Sequence, residues 1–160
     1  MTSSATVIHP EPSRTPGLRH RVSARQLGGT TSIHEGLLAP GELIPPHTHA
    51  NEDHCLYVVS GTVHLQIGDK LIQASAGSYV IKPRGLPHAF WNPASTPALA
   101  LEITTPGGFE TYYHDMAKVT SPAEAIAVQA KYGITFHGDL AAQLISRHHL
   151  HVGDIPQEWH

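Results

Sequence analysis

Between residues 30 and 105 the chain runs in short apolar stretches, each closed by Gly or Pro. Such stretches, bounded by turn residues and repeated in succession, read as strands of an all-β sandwich or barrel. The predicted strands are Ser32 to Leu38, His54 to Val59, Thr62 to Ile67, Lys70 to Ala74, Ser78 to Ile81, His88 to Trp91 and Ala98 to Thr104. Ser60-Gly61 and Gly68-Asp69 read as hairpin turns, where glycine admits positive φ. Alternation then orients the side chains. From His54 to Ser60 one face carries His54, Leu56 and Val58, and the other carries Cys55, Tyr57 and Val59. Both faces are apolar, as in a strand held between two packed sheets. From His88 the face of that histidine also carries Phe90 and Asn92.

The pattern changes at both ends. Residues 1–25 are rich in Ser, Thr, Pro and Arg and read as an extended arm with too little apolar surface to bury. Residues 26–115 form the barrel, and 116–160 a C-terminal helix and tail. Ser121-Pro122-Ala123-Glu124 predicts a helix start, with Ser at the cap, Pro in the first turn and Glu at the third position. That helix runs to near Gly133 and is expected to pack outside the barrel. Phe109 to Val119 is mixed and fits one short helix. The rest reads as a partly ordered tail with a short helix at Leu140 to Ser146.

Composition narrows the picture. The chain of 160 residues fits one domain, and its formal net charge of −3 without a basic stripe excludes a nucleic-acid partner. Cys55 is the sole cysteine, so no intramolecular disulfide forms, which fits a cytoplasmic location. The N-terminus lacks the apolar core of a secretory signal, and no apolar run reaches membrane-spanning length.

The chemistry lies in two stretches. Gly41 to Gly61 carries His47, His49 and His54, and Gly77 to Asn92 carries His88. Neutral imidazole keeps a free lone pair and is the commonest side-chain metal ligand near neutral pH. Four imidazoles converging would hold one divalent transition metal, and Fe, Mn, Ni, Cu and Zn all remain open. His47 and His49 share a face on an extended chain, whereas His49 and His54 are an odd number apart, so a turn or bulge is required within Ala50 to Asp53. With His54 and His88 pointing inward, Leu56, Val58 and Phe90 would line an apolar substrate pocket. Glu52 is the nearest carboxylate. A catalytic base near the rim and a solvated loop carboxylate are both open for it. His148, His149 and His151 lie in a polar tail without framing turns and read as surface residues.

These stretches resemble the paired motifs of the cupin superfamily. Gly41, His47, His49 and Gly61 fall in register with the first motif, and His54 stands where the family carries Glu. Gly77, Pro83, Gly85, His88 and Asn92 match the second motif. The resemblance covers residues 30 to 115 and implies a double-stranded β-helix, an all-β jelly-roll barrel, here with a C-terminal helical appendage. Pro46-His47-Thr48-His49, Lys82 to Phe90 and Thr105 to Phe109 look most like the small quercetin dioxygenase-like cupins. That likeness implies a metal-dependent oxygenase acting with O2 on a small enolisable or aromatic molecule. It also implies a homodimer, with the arm before Arg25 available for exchange. A Lewis-acid isomerase, cyclase or lyase and a non-catalytic binding module remain alternatives.

Overall fold

The computed structural model describes residues 6–9 and 17–153. The strands are β1 Gly17–Val22, β2 Ser32–Leu38, β3 Glu42–His49, β4 Asp53–Ser60, β5 Thr62–Ile67, β6 Lys70–Ser75, β7 Tyr79–Lys82, β8 His88–Trp91, β9 Ala98–Thr105, β10 Ile134–Phe136 and β11 His151–Val152. The helices are α1 Glu110–Met116, α2 Pro122–Lys131 and α3 Gly138–His148.

The strands form two sheets, one in the order β1-β2-β9-β4-β7 and the other β10-β3-β8-β5-β6, with β11 paired to β3. Every adjacent pair is antiparallel except β11 with β3. The inward faces meet in a core of Leu38, Leu56, Val58, Val63, Leu65 and Val80. The sheets wrap into the double-stranded β-helix, with the helices appended.

A bulge decides which residues of β3 face inward. Leu43 pairs with Trp91 and Ile44 with Phe90, but the register then slips and His47 pairs with His88. The slip falls on Pro45 and Pro46, which have no N–H to offer the ladder. Because strand side chains alternate, one extra residue exchanges the faces. Without it Pro46 would stand opposite His88.

Beyond the barrel the order is greater than the sequence pattern predicts. β1 takes residues 17–22 of the expected arm into the edge of a sheet, paired with β2 and tied by Arg21 to Glu35 at 3.0 Å. It is held by backbone pairing rather than apolar burial, so hydrophobic alternation gives no sign of it. Residues 1–5 and 10–16 of that arm, and 154–160 of the tail, lie outside the described residues. The rest of the tail is structured: β10 pairs with His47 to His49, and β11 with Glu42 and Leu43.

α3 lies outside the second sheet, where Leu144 and Leu150 cover Leu43, Ala89 and Trp91. α2 does not pack there. Its Val128 joins Phe109, Tyr112 and Ile134 in a separate cluster beside the histidines. Ser121 caps α2 by accepting from the Glu124 N–H, with Pro122 in the first turn. Gly133 closes it with φ +68°, and its carbonyl accepts the Ala50 N–H at 2.9 Å. Among the described residues no helix is long and apolar enough to cross a membrane.

Candidate metal centre

Three of the four motif histidines have their ring orientation set by a fixed acceptor. His47 Nδ1 lies 2.7 Å from the Pro45 carbonyl, and His88 Nδ1 lies 3.1 Å from the Leu86 carbonyl. A carbonyl oxygen only accepts, so each Nδ1 carries the proton and each Nε2 keeps its lone pair. His54 Nδ1 faces Glu102 Oε1 at 3.0 Å, which leaves its Nε2 as the lone-pair atom. His54 Nε2, His88 Nε2, His49 Nδ1 and Glu52 Oε2 are all buried without a hydrogen-bond partner. Buried polar atoms are ordinarily satisfied. Four such atoms in one neighbourhood, with imidazole lone pairs among them, are a set that a bound cation would satisfy.

The ligand atoms form two overlapping groups. Those of His47, His49 and His88 lie within 4.8 Å of one another, and so do those of His49, Glu52 and His54. The four histidines expected at one point fall, by these distances, into two groups. His49 is shared, and His54 stands off from His88, with ring centroids 6.2 Å apart. The reason is the turn after β3. Pairing across β3 and β8 sets His47 opposite His88, while His54 is in the other sheet, opposite Thr104 and Lys82.

Burial keeps these rings neutral. It pushes His47 and His49 down to about 3, helped by the neighbouring His49 and His54 respectively. Burial, then the charge of Lys82, pushes His88 down to about 2. All three therefore offer lone pairs throughout the neutral range.

Glu52 is not on the cavity wall. It is buried behind His49, with Oε2 3.4 Å from the His49 Nδ1, and burial raises its carboxyl above the usual range. The turn through Ala50 and Asn51 folds it inward, so it is neither a solvated loop residue nor a group that reaches the cavity. Asp53 points outward and pairs with Arg84 at 2.7 Å.

A cavity of about 360 Å³ opens beside the histidines. His47, His49 and His54 are on its wall, with Leu56, Phe90 and Phe109 as apolar neighbours. Val58, expected beside them, is instead sealed in the core against Val63 and Leu65. It shares a face with Leu56 but stands one step further along the strand, where the second sheet closes over it. Phe109, outside both motif stretches, packs edge-on to His49 at 4.7 Å and His54 at 5.6 Å.

Sequence reading missed the pair behind His54. Lys82 and Glu102 are buried and on the cavity wall. Burial opposes ionisation of Glu102, but Lys82 and His54 outweigh it and hold the carboxyl well below the usual range. The signal was present as a charge at an inward step of each strand: Lys82 two after Val80, and Glu102 two after Ala100. His148, His149 and His151 belong to neither ligand group, and the half-buried His148 packs 4.9 Å from Trp91.

Comparison with known proteins agrees with this architecture. Residues 34–104 match the family described as Cupin domain. The matched stretch runs from β2 to β9, most of the barrel. Germin-like protein 5-1 of Oryza sativa subsp. japonica is 38% identical over 68 residues, covering 39% of this chain and 31% of that protein. The chain thus matches less than a third of that relative's length. An RmlC-like cupin family protein from Methanocaldococcus jannaschii superposes with a TM-score of 0.55 at 18% identity, covering 67% of this chain and 94% of that one. KdgF from Halomonas sp. gives 0.54 at 17% identity, covering 64% and 91%. Both likenesses concern the fold, and together with the domain match they support the cupin superfamily.

Proposed function

We propose that this chain is a cupin and a metal-dependent enzyme, an oxygenase acting on a small enolisable or aromatic molecule. The observation that carries the reading is the set of buried, partnerless ligand atoms of His49, Glu52, His54 and His88 beside an apolar cavity that His49 and His54 line. His47, His49 and His88 would hold the ion, and His54 with Glu52 would complete the shell through His49. A divalent ion bound there would supply positive charge to stabilise an enolate and, if redox-active, electrons for chemistry with O2.

The chain's own residues prepare that site. The Pro45 and Leu86 carbonyls hold His47 and His88 as Nδ1–H tautomers. Glu102 does the same for His54. Leu56, Phe90 and Phe109 exclude water, which strengthens every charge interaction within.

A Lewis-acid isomerase, cyclase or lyase is the second reading. The histidine face at the cavity favours it, because His47, His49 and His88 bring no negative charge and would leave the ion strongly electron-withdrawing. Metal analysis of the purified protein, followed by turnover of enolisable substrates with and without O2, tests both. One equivalent of metal and O2-dependent turnover are expected. Turnover that persists without O2 replaces the first reading by the second. A protein that binds no divalent metal rejects both.

The working unit is proposed to be a homodimer formed through the outer face of the β1-β2-β9-β4-β7 sheet. There Ile103, Cys55 and Ile81 form one row across β9, β4 and β7, and Leu101, Tyr57 and Tyr79 form the next. Tyr79 is 68% exposed and Ile81 60%. β7 is the sheet's edge, so a second copy could pair with it antiparallel and cover both apolar rows.

A further inference from the structure

Lys82 is an unusual residue to find on this wall. Its side chain is 1% exposed, its ammonium lies 2.8 Å from both oxygens of Glu102, and it sits 4.5 Å above the Phe90 ring. As a source of stability the pair is poor, because desolvating two charges offsets most of their attraction. As a recognition device it is well placed. An ammonium has three N–H donors and no acceptor. Glu102 engages the side facing His54, and the rest of the head group adjoins an apolar cavity. The charge of Lys82 is felt by His47, His49 and His88, all of which it disfavours from protonating. Of the other carboxylates nearby, Glu42 accepts the Ala39 N–H at 2.7 Å, and Glu52 does not line the cavity.

We propose that Lys82 is the anion-recognising residue of the cavity, and that the substrate is a small carboxylate or enolate on a largely apolar body, its charged oxygen held between the Lys82 ammonium and the metal-centre face that His47 and His49 present to the cavity. The second half of this cradle rests on the metal-centre reading, whereas the first does not. Glu102 keeps Lys82 in place and prevents the empty cavity from holding an uncompensated cation. In a medium of low dielectric a ligand anion gains far more from Lys82 than it would in water. The volume of about 360 Å³ is near the lower end for ligand pockets, which sets the size class. The Phe90 and Leu56 walls accept the apolar body.

The probes are benzoate and its neutral counterpart benzamide, titrated calorimetrically into wild type and into the variants Lys82→Met and Lys82→Met/Glu102→Gln, each with and without saturating zinc. The single variant strands a buried carboxylate and is exposed to unfolding, so the double variant, which removes both charges together, keeps the comparison decisive. Wild type should prefer benzoate by about tenfold or more, and the folded double variant should lose that preference while benzamide binding changes little. Equal binding of the two probes by wild type overturns the proposal. So does a folded double variant that keeps the benzoate preference. Zinc stoichiometry is read separately. If wild type binds no zinc yet prefers benzoate, the metal reading falls and Lys82 stands. If it binds zinc without the preference, the reverse holds.

Discussion

His54 and Glu102 face one another across β4 and β9, with Nδ1 3.0 Å from Oε1 and both side chains buried. A carboxylate thus stands behind His54, on a neighbouring strand and bonded to its imidazole. A carboxylate behind an imidazole fixes its tautomer and raises its basicity. Replacing Glu102 by Ala should weaken zinc binding by about 10- to 100-fold, measured by competition with a chromophoric chelator. Unchanged affinity would remove Glu102 from the metal site.

Placing a second carboxylate at position 54 should therefore fail on its own. His54→Glu sets a second buried carboxylate against Glu102, with Lys82 alone to offset the two. The variant should lose about 3 kcal/mol in urea unfolding. Adding Glu102→Gln should recover much of that loss, because the two positions contact one another and their effects do not add. A His54→Glu protein of wild-type stability would show that the two groups do not interact.

Removing His88 has a different expected outcome. Its Nε2 is one of the buried atoms without a partner, and it belongs to the group with His47 and His49. His88→Ala should abolish stoichiometric zinc binding at micromolar concentration while the circular dichroism of the fold persists. Retained binding would move the site to the His49–Glu52–His54 group.

Metal-free protein should be destabilised by mild acid. His47 and His49 titrate near 3 and His88 near 2 in the folded chain, against 6.5 for the ordinary side chain. The unfolded state therefore takes up protons first. Their contribution is fully present above pH 6.5 and is lost progressively as pH falls towards 3, by up to about 1.4 kcal/mol per pH step for each ring. Melting temperature should drop steadily below pH 6.5 and fall further when Glu102 is protonated. A flat profile between pH 6.5 and 4.5 would contradict the burial of these rings.

The loop before His54 depends on Gly133. At φ +68° a side chain is strained there, and an added Cβ would lie 2.8 Å from Asn51 Nδ2 and 3.0 Å from Ala50 Cβ. Gly133→Ala should cost about 1–2 kcal/mol. It should also weaken metal binding, because the displaced loop carries Glu52. A change in stability with no change in metal affinity would separate the loop from the site.

The proposed dimer has its own test. Ile81→Arg places a charge in the exposed apolar row and should convert a dimer to a monomer in light scattering, with metal content unchanged. A wild-type monomer at micromolar concentration would reject the interface.

Sequence by itself determined β2, β4 to β9, their apolar inner faces and the candidate ligands His47, His49 and His88, but not β3, whose pattern Pro45 and Pro46 interrupt. These follow from alternation, turn residues and motif spacing, which are local in the chain. Tertiary structure alone decided the rest. The slip at Pro45 and Pro46 set His47 opposite His88, because pairing register is a property of two strands. β10 and β11 are joined by backbone bonds to a strand far back along the chain, and β1 is an edge strand held by its pairing with β2, so none leaves an apolar period. Val58 went to the core although it alternates with Leu56, because the depth of the second sheet is not written in either strand. Lys82, His54 and Glu102 meet across three strands of one sheet. Each was legible as a polar residue on an inward face, but only the folded sheet shows that they satisfy one another.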